Sequence, residues 1–291
     1  MATTAVAVTA RRRTLGERTA RVIDRYLLPI YALAAVIYLM LPVIVMILFS
    51  FNDPGGRFNL SWRQFSIGAW LNPLGRPGLT EAVTNSLFIA FASTIVATIL
   101  GTLIALALVR HRFRGRAATN LLIFLPMSTP EIVLGSSLLT LFIASNQFAF
   151  IPENTFFPLG MHTILIAHIM FNISFVVVVV KARVEGFPRN LEEAALDLYA
   201  NDFETFLRVT FPLILPGILA AALLAFSLSI DDFVITNFTA GQTSTFPLYI
   251  YGAQKTGVPV QVNVIGSAIF LTAVALVLVS TVLQRRSNRV S

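Results

Sequence analysis

The chain has 291 residues, of which 56% are hydrophobic and only 12% are charged, and its formal net charge is +7. Soluble domains carry about 25% charged residues, so this composition excludes an ordinary soluble protein and indicates a membrane protein. The sequence contains no cysteine, which excludes disulfides and thiolate metal sites.

Six segments are long and apolar enough to cross a membrane, which takes roughly 20 apolar residues per helix. They are residues 27–51, 82–109, about 117–144, 154–180, 213–230 and 262–283. The first is longer than the apolar core of a cleavable signal peptide, and no small-residue cleavage site follows it, so we expect a retained anchor. The sequence therefore predicts an all-α membrane protein with six transmembrane helices.

The distribution of Lys and Arg predicts the orientation of these helices. With both termini in the cytoplasm, 17 of the 21 Lys and Arg residues lie inside, and Arg57, Arg63, Arg76 and Lys255 lie outside. This is a strong positive-inside bias. We expect a cytoplasmic leader at 1–26, one transmembrane domain at 27–284 and a cytoplasmic tail at 285–291. The basic residues are then topology determinants and contacts for anionic lipid, and a nucleic-acid partner is not expected.

Small residues and prolines predict how the second and third segments behave. Ala97, Gly101 and Ala105 recur at a spacing of four, which lets helices approach closely in lipid. Pro126 and Pro130 lie inside the third segment, where each removes a backbone donor and kinks or breaks the helix. The freed carbonyls need partners, so this segment should face the interior of the bundle.

A polar insert between the fourth and fifth segments carries two helix-start signals. Asn190 with Glu193, and Asn201 with Glu204, each have the spacing of a capping box. They predict two short helices, about 191–199 and 202–210, followed by Pro212 and Pro216 at the entry to the fifth segment. One interpretation is a surface hairpin that only links two membrane helices.

A second interpretation follows from Glu193-Ala194-Ala195 with Pro212 and Pro216 at their distances. This pattern resembles the EAA loop of inner-membrane permeases of binding-protein-dependent ABC importers. The resemblance implies a type I ABC importer permease fold with a core at 80–284 and a loop at 188–212 that docks on a separate ATPase. The implied loop residues are Asn190, Glu193, Ala194, Ala195, Leu198, Tyr199, Asn201, Pro212 and Pro216. Many family members have Gly where this chain has Tyr199, so we expect the turn to form at Asn201 instead.

Two further segments are similar to the permeases of spermidine/putrescine ABC importers. One is 130–135, and the other is 229–234 together with Phe246-Pro247-Leu248, Gly257, Pro259 and Asn263. This similarity implies a polyamine as the transported solute, although relatives that carry other small solutes share much of the pattern.

Ionisable groups within the membrane usually face the interior or a wet pathway. Glu131, Asp231 and Asp232 are therefore candidates for a cation pathway, with Phe226, Tyr249 and Tyr251 as cation–π surfaces. The alternatives are that the two aspartates only cap a helix end, and that Glu131 only bonds to backbone freed by Pro130. Asn172, His162 and His168 in the fourth segment are weaker candidates, and for the two histidines we favour helix-to-helix hydrogen bonds.

The resemblance also implies a set of partners: a second, homologous permease, two ATPase subunits and an extracytoplasmic solute-binding protein. This chain has no phosphate-binding Gly-x-x-x-x-Gly-Lys-[Ser/Thr] loop, so ATP and Mg²⁺ are expected on the ATPase, with no cofactor or metal on this chain and no enzymatic activity of its own. A secondary transporter would predict a short fourth-to-fifth connection and an inverted repeat. An intramembrane enzyme would need a metal-ligand or nucleophile motif, and none is present.

Overall fold

The structure is a computed structural model that describes residues 26–56, 58–145 and 158–287. In these ranges the regular structure is helical. The helices are α1 (Leu28–Phe49), α2 (Gly68–Leu71), α3 (Leu79–Arg110), α4 (Arg116–Ser128), α5 (Glu131–Ser145), α6 (Met161–Glu185), α7 (Asn190–Asp197), α8 (Asp202–Thr205), α9 (Phe211–Ile230), α10 (Val234–Thr239), α11 (Phe246–Thr256) and α12 (Val260–Ser287). A π-helical turn, Phe206–Thr210, joins α8 to α9.

Four of the described helices are long and apolar enough to cross a membrane: Leu28–Phe49, Leu79–Arg110, Met161–Glu185 and the continuous stretch Asp202–Ile230. The pair α4 and α5 passes the same test together, which makes up to five spans. A further apolar helix covers Val260–Ala275. The all-α membrane prediction is confirmed, whereas the number of six spans stays a prediction. The predicted start of the fourth segment, at 154, lies outside the described residues.

The chain forms two compact units, and the first combines the described parts of Met1–Pro73 and Pro259–Ser291. It holds α1, α2 and α12. The loop after α1 has an aromatic cluster, in which Phe51 stacks on Phe65 at 5.7 Å and on Trp70 at 5.3 Å between ring centroids. Trp70 Nε1 donates to Ser50 Oγ at 3.1 Å, and Trp62 packs edge-on against Phe49. Both tryptophans thus pack this loop.

The second unit, Leu74–Val258, has its largest core where α3, α6 and α9 meet. Small residues on α3 meet branched residues on α6, because Ala97 and Ala105 are buried against the cluster that contains Val176 and Val180. At Gly101 the two helices approach closely, since a Cβ built there would lie 2.6 Å from Val176 Cγ1. The predicted close packing through these three small residues is confirmed.

The third predicted segment is broken rather than straight. Helix α4 ends at Ser128, Thr129 is extended (φ −80°, ψ 132°), and α5 begins after Pro130 with a bend of 109° between the two helices. An extended residue before proline is the expected result of steric conflict with the proline ring. The break turns α5 onto α6 and α10, where Leu134, Leu138 and Ile235 share a core.

Candidate functional site

The polar insert between α6 and α9 folds into a hairpin, which we call the coupling hairpin and define as residues 188–212. Helix α7 covers its first arm, and α8 with the π turn covers the second and runs on into α9. The second arm is therefore the beginning of the fifth membrane helix and not a separate helix over 202–210. Pro212 lies at the junction of the π turn with α9, and Pro216 lies inside α9.

One of the two predicted helix caps forms and the other does not. Asn201 Oδ1 accepts from Glu204 N at 2.8 Å, and Glu204 Oε2 accepts from Asn201 N at 3.2 Å, so this capping box is confirmed. The predicted cap at Asn190 is wrong. Arg189 holds the cap position with helical angles and no side-chain cap bond, because the chain enters α7 already helical, and Asn190 is the first helical residue.

The prediction that the hairpin turns at Asn201 is also wrong. Tyr199 itself has φ 61°, whereas Asn201 is extended with φ −80°. The left-handed residue thus stands where many relatives have glycine, which adopts this conformation without steric cost. Asn201 cannot adopt the left-handed conformation because its capping bond to Glu204 requires an extended backbone. The Tyr199 ring is directed to solvent, with 98% of the residue exposed.

The tip of the coupling hairpin presents an apolar surface to solvent. Leu198 is 82% exposed and Phe203 is 69% exposed, next to Tyr199. Glu193 and Ala194 are exposed as well, and Ala195 is half-buried. Since exposed apolar clusters mark interaction sites, this surface is available to a partner.

The inner side of the coupling hairpin is polar and is tied to the membrane helices. Glu192 Oε1 lies 2.8 Å from Arg110 Nη2 at the end of α3 and accepts from Thr210 Oγ1 at 2.7 Å. A cavity of about 560 Å³ lies here, lined by Arg110, Glu192 and Glu193 among others. Glu192 was not among the predicted site residues, because the family pattern directs attention to Glu193. Its opposite charge to Arg110 was the available signal, but the spacing of 82 residues hid the pairing.

The candidate pathway carboxylates line one cavity. Glu131 at the start of α5, and Asp231 and Asp232 just after α9, all border a space of about 350 Å³. Its remaining walls are largely apolar and include Phe171, Phe175, Leu228 and Phe233. The break at Thr129–Pro130 and the end of α9 thus bring together acids that are 100 residues apart in sequence.

The two adjacent aspartates have different surroundings. Asp232 Oδ2 accepts from Thr236 N at 2.8 Å and from Thr236 Oγ1 at 2.7 Å, and its side chain is 7% exposed. Asp231 ends α9 and is exposed. Asp232 therefore stabilises the first turn of α10, and Asp231 is the aspartate that is accessible from the cavity.

A buried hydrogen-bond chain continues from Asp232 into the bundle. His168 Nε2 lies 3.0 Å from Thr236 Oγ1 and 3.4 Å from Asp232 Oδ2. His168 Nδ1 lies 2.6 Å from Ser229 Oγ, which is 3.0 Å from Ser93 Oγ. With its proton on Nε2, His168 donates toward Asp232 and accepts from Ser229. His168 thus joins α6 to α9, and through Ser229 to α3, as the helix-to-helix interpretation predicted.

The predicted aromatic residues Phe226, Tyr249 and Tyr251 are not among the residues that line the cavity. Phe226 packs on Phe91 at 4.9 Å between ring centroids. Tyr251 packs on Phe233 at 4.8 Å, and Lys255 Nζ lies 5.6 Å from the centre of its ring. Tyr249 is half-buried beside Gly78. In the described ranges, no group of three or more His, Asp or Glu side chains is arranged to hold a metal ion.

Comparison with known proteins agrees with this architecture. Residues 97–289 match the family model of the binding-protein-dependent transport system inner membrane component. The chain is 35% identical over 252 residues to the spermidine/putrescine transport system permease protein PotC of Haemophilus influenzae, covering 86% of this chain and 93% of that protein. It is 35% identical over 242 residues to the putrescine transport system permease protein PotI of Escherichia coli K12, covering 82% of this chain and 84% of that protein.

The fold is similar to solved transporters. A bacterial alginate ABC transporter, in complex with an alginate pentasaccharide-bound periplasmic protein, superposes with a TM-score of 0.64 at 18% identity, covering 90% of this chain and 94% of that one. At this identity the likeness concerns the fold alone. Together with the apolar helices, the family match shows that the chain belongs to the binding-protein-dependent transport system inner membrane components, the multi-pass inner-membrane permeases of ABC importers.

Proposed function

We propose that this chain forms half of the translocation pathway of an ABC importer for polyamines of the spermidine/putrescine type. Two relatives at 35% identity are named as permeases for these solutes. The observation that carries the proposal is the acidic cavity bordered by Glu131, Asp231 and Asp232. A polyamine alternates ammonium groups with methylene segments. The cavity offers carboxylates for the first and the apolar side chains of Phe171, Phe175 and Leu228 for the second.

Within this cavity, Glu131 and Asp231 are the proposed contacts for ammonium groups. Both residues are exposed, and neither carboxylate is bonded to another side chain in the described part of the chain. Asp232 is already bonded to Thr236. Its role is therefore to stabilise the first turn of α10 and to add negative potential to the cavity. Carboxylates in a medium of low dielectric attract a cation over several ångströms and lower the barrier to its entry.

The proposed topology has six spans with both termini in the cytoplasm. Helices α4 and α5 together form the third span, and α12 forms the sixth. This arrangement places the coupling hairpin on the same side as the basic connection 110–116, in agreement with the positive-inside rule.

The coupling hairpin is the proposed contact for an ATPase. Its exposed Ala194, Leu198 and Tyr199 would enter a cleft of one of two ATPase subunits, which bind ATP and Mg²⁺, while Glu193 meets a basic side chain there. The complete importer also contains a second, homologous permease and an extracytoplasmic solute-binding protein. Glu193→Lys is expected to leave the chain in the membrane and to abolish solute-stimulated ATP hydrolysis; unchanged hydrolysis would contradict this role.

The experiment that tests the pathway is spermidine uptake by the complete importer in proteoliposomes. Asp231→Asn and Glu131→Gln are each expected to raise the KM for uptake by about tenfold, the effect of losing one charged contact. Glu81→Gln, which removes an exposed carboxylate in the first turn of α3, is the matched control and should leave KM unchanged. Normal uptake in both cavity variants would refute the assigned contacts. An importer that assembles with its ATPase but does not transport polyamine would carry a different small solute.

A further inference from the structure

Glu192 connects the coupling hairpin to two membrane helices through a single carboxylate oxygen. Oε1 bonds Arg110 Nη2, the last residue of α3, at 2.8 Å. The same oxygen accepts from Thr210 Oγ1, the residue that precedes α9, at 2.7 Å. Glu192 itself lies in the first turn of α7. One side chain therefore links the arm of the hairpin to the cytoplasmic ends of α3 and α9.

This contact is shielded from solvent, which distinguishes it from an ordinary surface ion pair. The side chains of Arg110 and Glu192 are 15% and 20% exposed. The Arg110 guanidinium also lies over the Phe187 ring, 5.7 Å from its centroid, and its Nε has no hydrogen-bond partner in the described part of the chain. A poorly solvated guanidinium with one paired carboxylate depends strongly on that partner, because removal of one member leaves an uncompensated charge.

The helices held by Glu192 lead directly to the acidic cavity. Helix α9 runs from Phe211 to Ile230 with Pro216 inside it, and Asp231 follows it at the cavity. Near that end, Ser229 Oγ lies 3.0 Å from Ser93 Oγ of α3. Since an α-helix transmits displacement as a stiff element of ~1.5 Å per residue, movement at Thr210 would reach Asp231 roughly 30 Å away.

We propose that Glu192 is the positioning residue that transmits movement of the coupling hairpin to α3 and α9, and so to the pathway cavity. This inference rests on the proposed function, in which an ATPase moves the hairpin. It separates two tasks on one short helix. The exposed residues Ala194 and Leu198 face the partner, whereas the half-buried Glu192 faces the membrane helices. Loss of Glu192 should therefore preserve docking and impair transmission.

The test measures uptake per ATP hydrolysed by the complete importer in proteoliposomes. For Glu192→Gln we expect normal association with the ATPase, continued ATP hydrolysis, and a ratio of spermidine uptake to hydrolysis that falls about tenfold, within the usual range of coupling between linked sites. Thr210→Val removes one of the two bonds and should give a smaller loss. Glu185→Gln is the matched control. Glu185 lies 3.9 Å from Lys181 and its side chain is 53% exposed, so this change should not alter the ratio of uptake to hydrolysis.

The exchanged pair Arg110→Glu with Glu192→Arg decides between transmission and mere folding. It keeps the opposite charges and is expected to restore at least part of the uptake ratio that either single change removes. The proposal would be overturned by a normal ratio of uptake to hydrolysis in Glu192→Gln. It would also be overturned if the exchanged pair assembles and its ratio is as low as that of Glu192→Gln. If Glu192→Gln does not assemble, the uptake ratio of the exchanged pair is compared with that of the unmodified importer, and a tenfold deficit there overturns the proposal.

A second measurement keeps this proposal distinct from the proposed function. Amide hydrogen exchange over 190–205 reports on the contact in the purified chain without any ATPase. Faster exchange in Glu192→Gln than in Glu185→Gln is expected, and equal exchange would contradict the contact. If the unmodified chain fails to bind an ATPase, the proposed function fails, and the exchange rates still show whether Glu192 holds the hairpin.

Discussion

At the scale of single residues, Tyr199 shows how one backbone angle shapes the coupling hairpin. Its φ of 61° lies in the left-handed region, which costs an L-residue with a Cβ roughly 1–2 kcal/mol. The side chain is fully directed to solvent, so no packing within the described chain offsets this cost. Tyr199 therefore lowers the local stability of the hairpin.

Tyr199→Gly is expected to stabilise the hairpin by about 1 kcal/mol, because glycine adopts the observed φ without strain. The measurement is amide hydrogen exchange over 190–205, which should become slower. Leu198→Gly is the control, since Leu198 has φ −88° and glycine there only adds freedom to the unfolded chain. Faster exchange in Tyr199→Gly would show that the ring contributes contacts that outweigh the strain.

The neighbouring acids Asp231 and Asp232 differ at the same scale. Asp232 is buried and accepts two bonds from Thr236, so Asp232→Asn should lower the free energy of unfolding by about 1–3 kcal/mol. Asp231→Asn, at an exposed helix end, should lower it by less than about 0.5 kcal/mol. Thermal unfolding of the two purified variants in detergent compares them directly. Equal losses would indicate that Asp231 also has a structural role.

At the scale of elements, contact between α3 and α6 depends on small residues. Gly101 allows the two helices to approach so closely that an added Cβ would meet Val176 Cγ1 at 2.6 Å and the carbonyl oxygen of Ile173 at 3.3 Å. In a membrane, such close backbone approach replaces the hydrophobic effect as a source of helix association. The break between α4 and α5 is the opposite case, in which a proline separates two helices and so creates the wall of a cavity.

Gly101→Ala should lower the free energy of unfolding by up to about 2 kcal/mol, because an overpacking penalty of up to about 3 kcal/mol outweighs the gain in helix propensity of ~1 kcal/mol. Gly252→Ala in α11 is the matched control. No atom lies within 4 Å of a Cβ built there, so only the propensity gain remains and stability should rise. The comparison is again thermal unfolding in detergent. A stabilised Gly101→Ala would mean that α3 and α6 separate at low cost.

At the scale of the whole molecule, the asymmetry of charge sets the proposed orientation. Cations cluster in the connections that flank the coupling hairpin and α3, and few lie in the opposite connections. In this proposed orientation the coupling hairpin lies on the cytoplasmic side, where ATP is available.

The absence of native cysteine allows a clean test of this orientation. In right-side-out membranes, Lys255→Cys should react with a membrane-impermeant maleimide, whereas Arg114→Cys should react only after permeabilisation. Both residues are exposed, so burial does not confound the comparison. Labelling of both positions from the same side would contradict the proposed topology.

The sequence by itself determined the class of the protein, its membrane character, its close-packing residues and its family, because hydrophobicity, small-residue spacing and a loop pattern are all local properties. Only the tertiary structure decided that Glu131 meets Asp231 at one cavity, that Asp232 is bonded to Thr236 near His168, and that Glu192 joins Arg110 to Thr210. These pairings span up to 100 residues, and the first of them also involves the 109° bend between α4 and α5. The turn at Tyr199 follows instead from a local contact, since the capping bond between Asn201 and Glu204 keeps Asn201 extended and removes the alternative that the propensity of asparagine favoured.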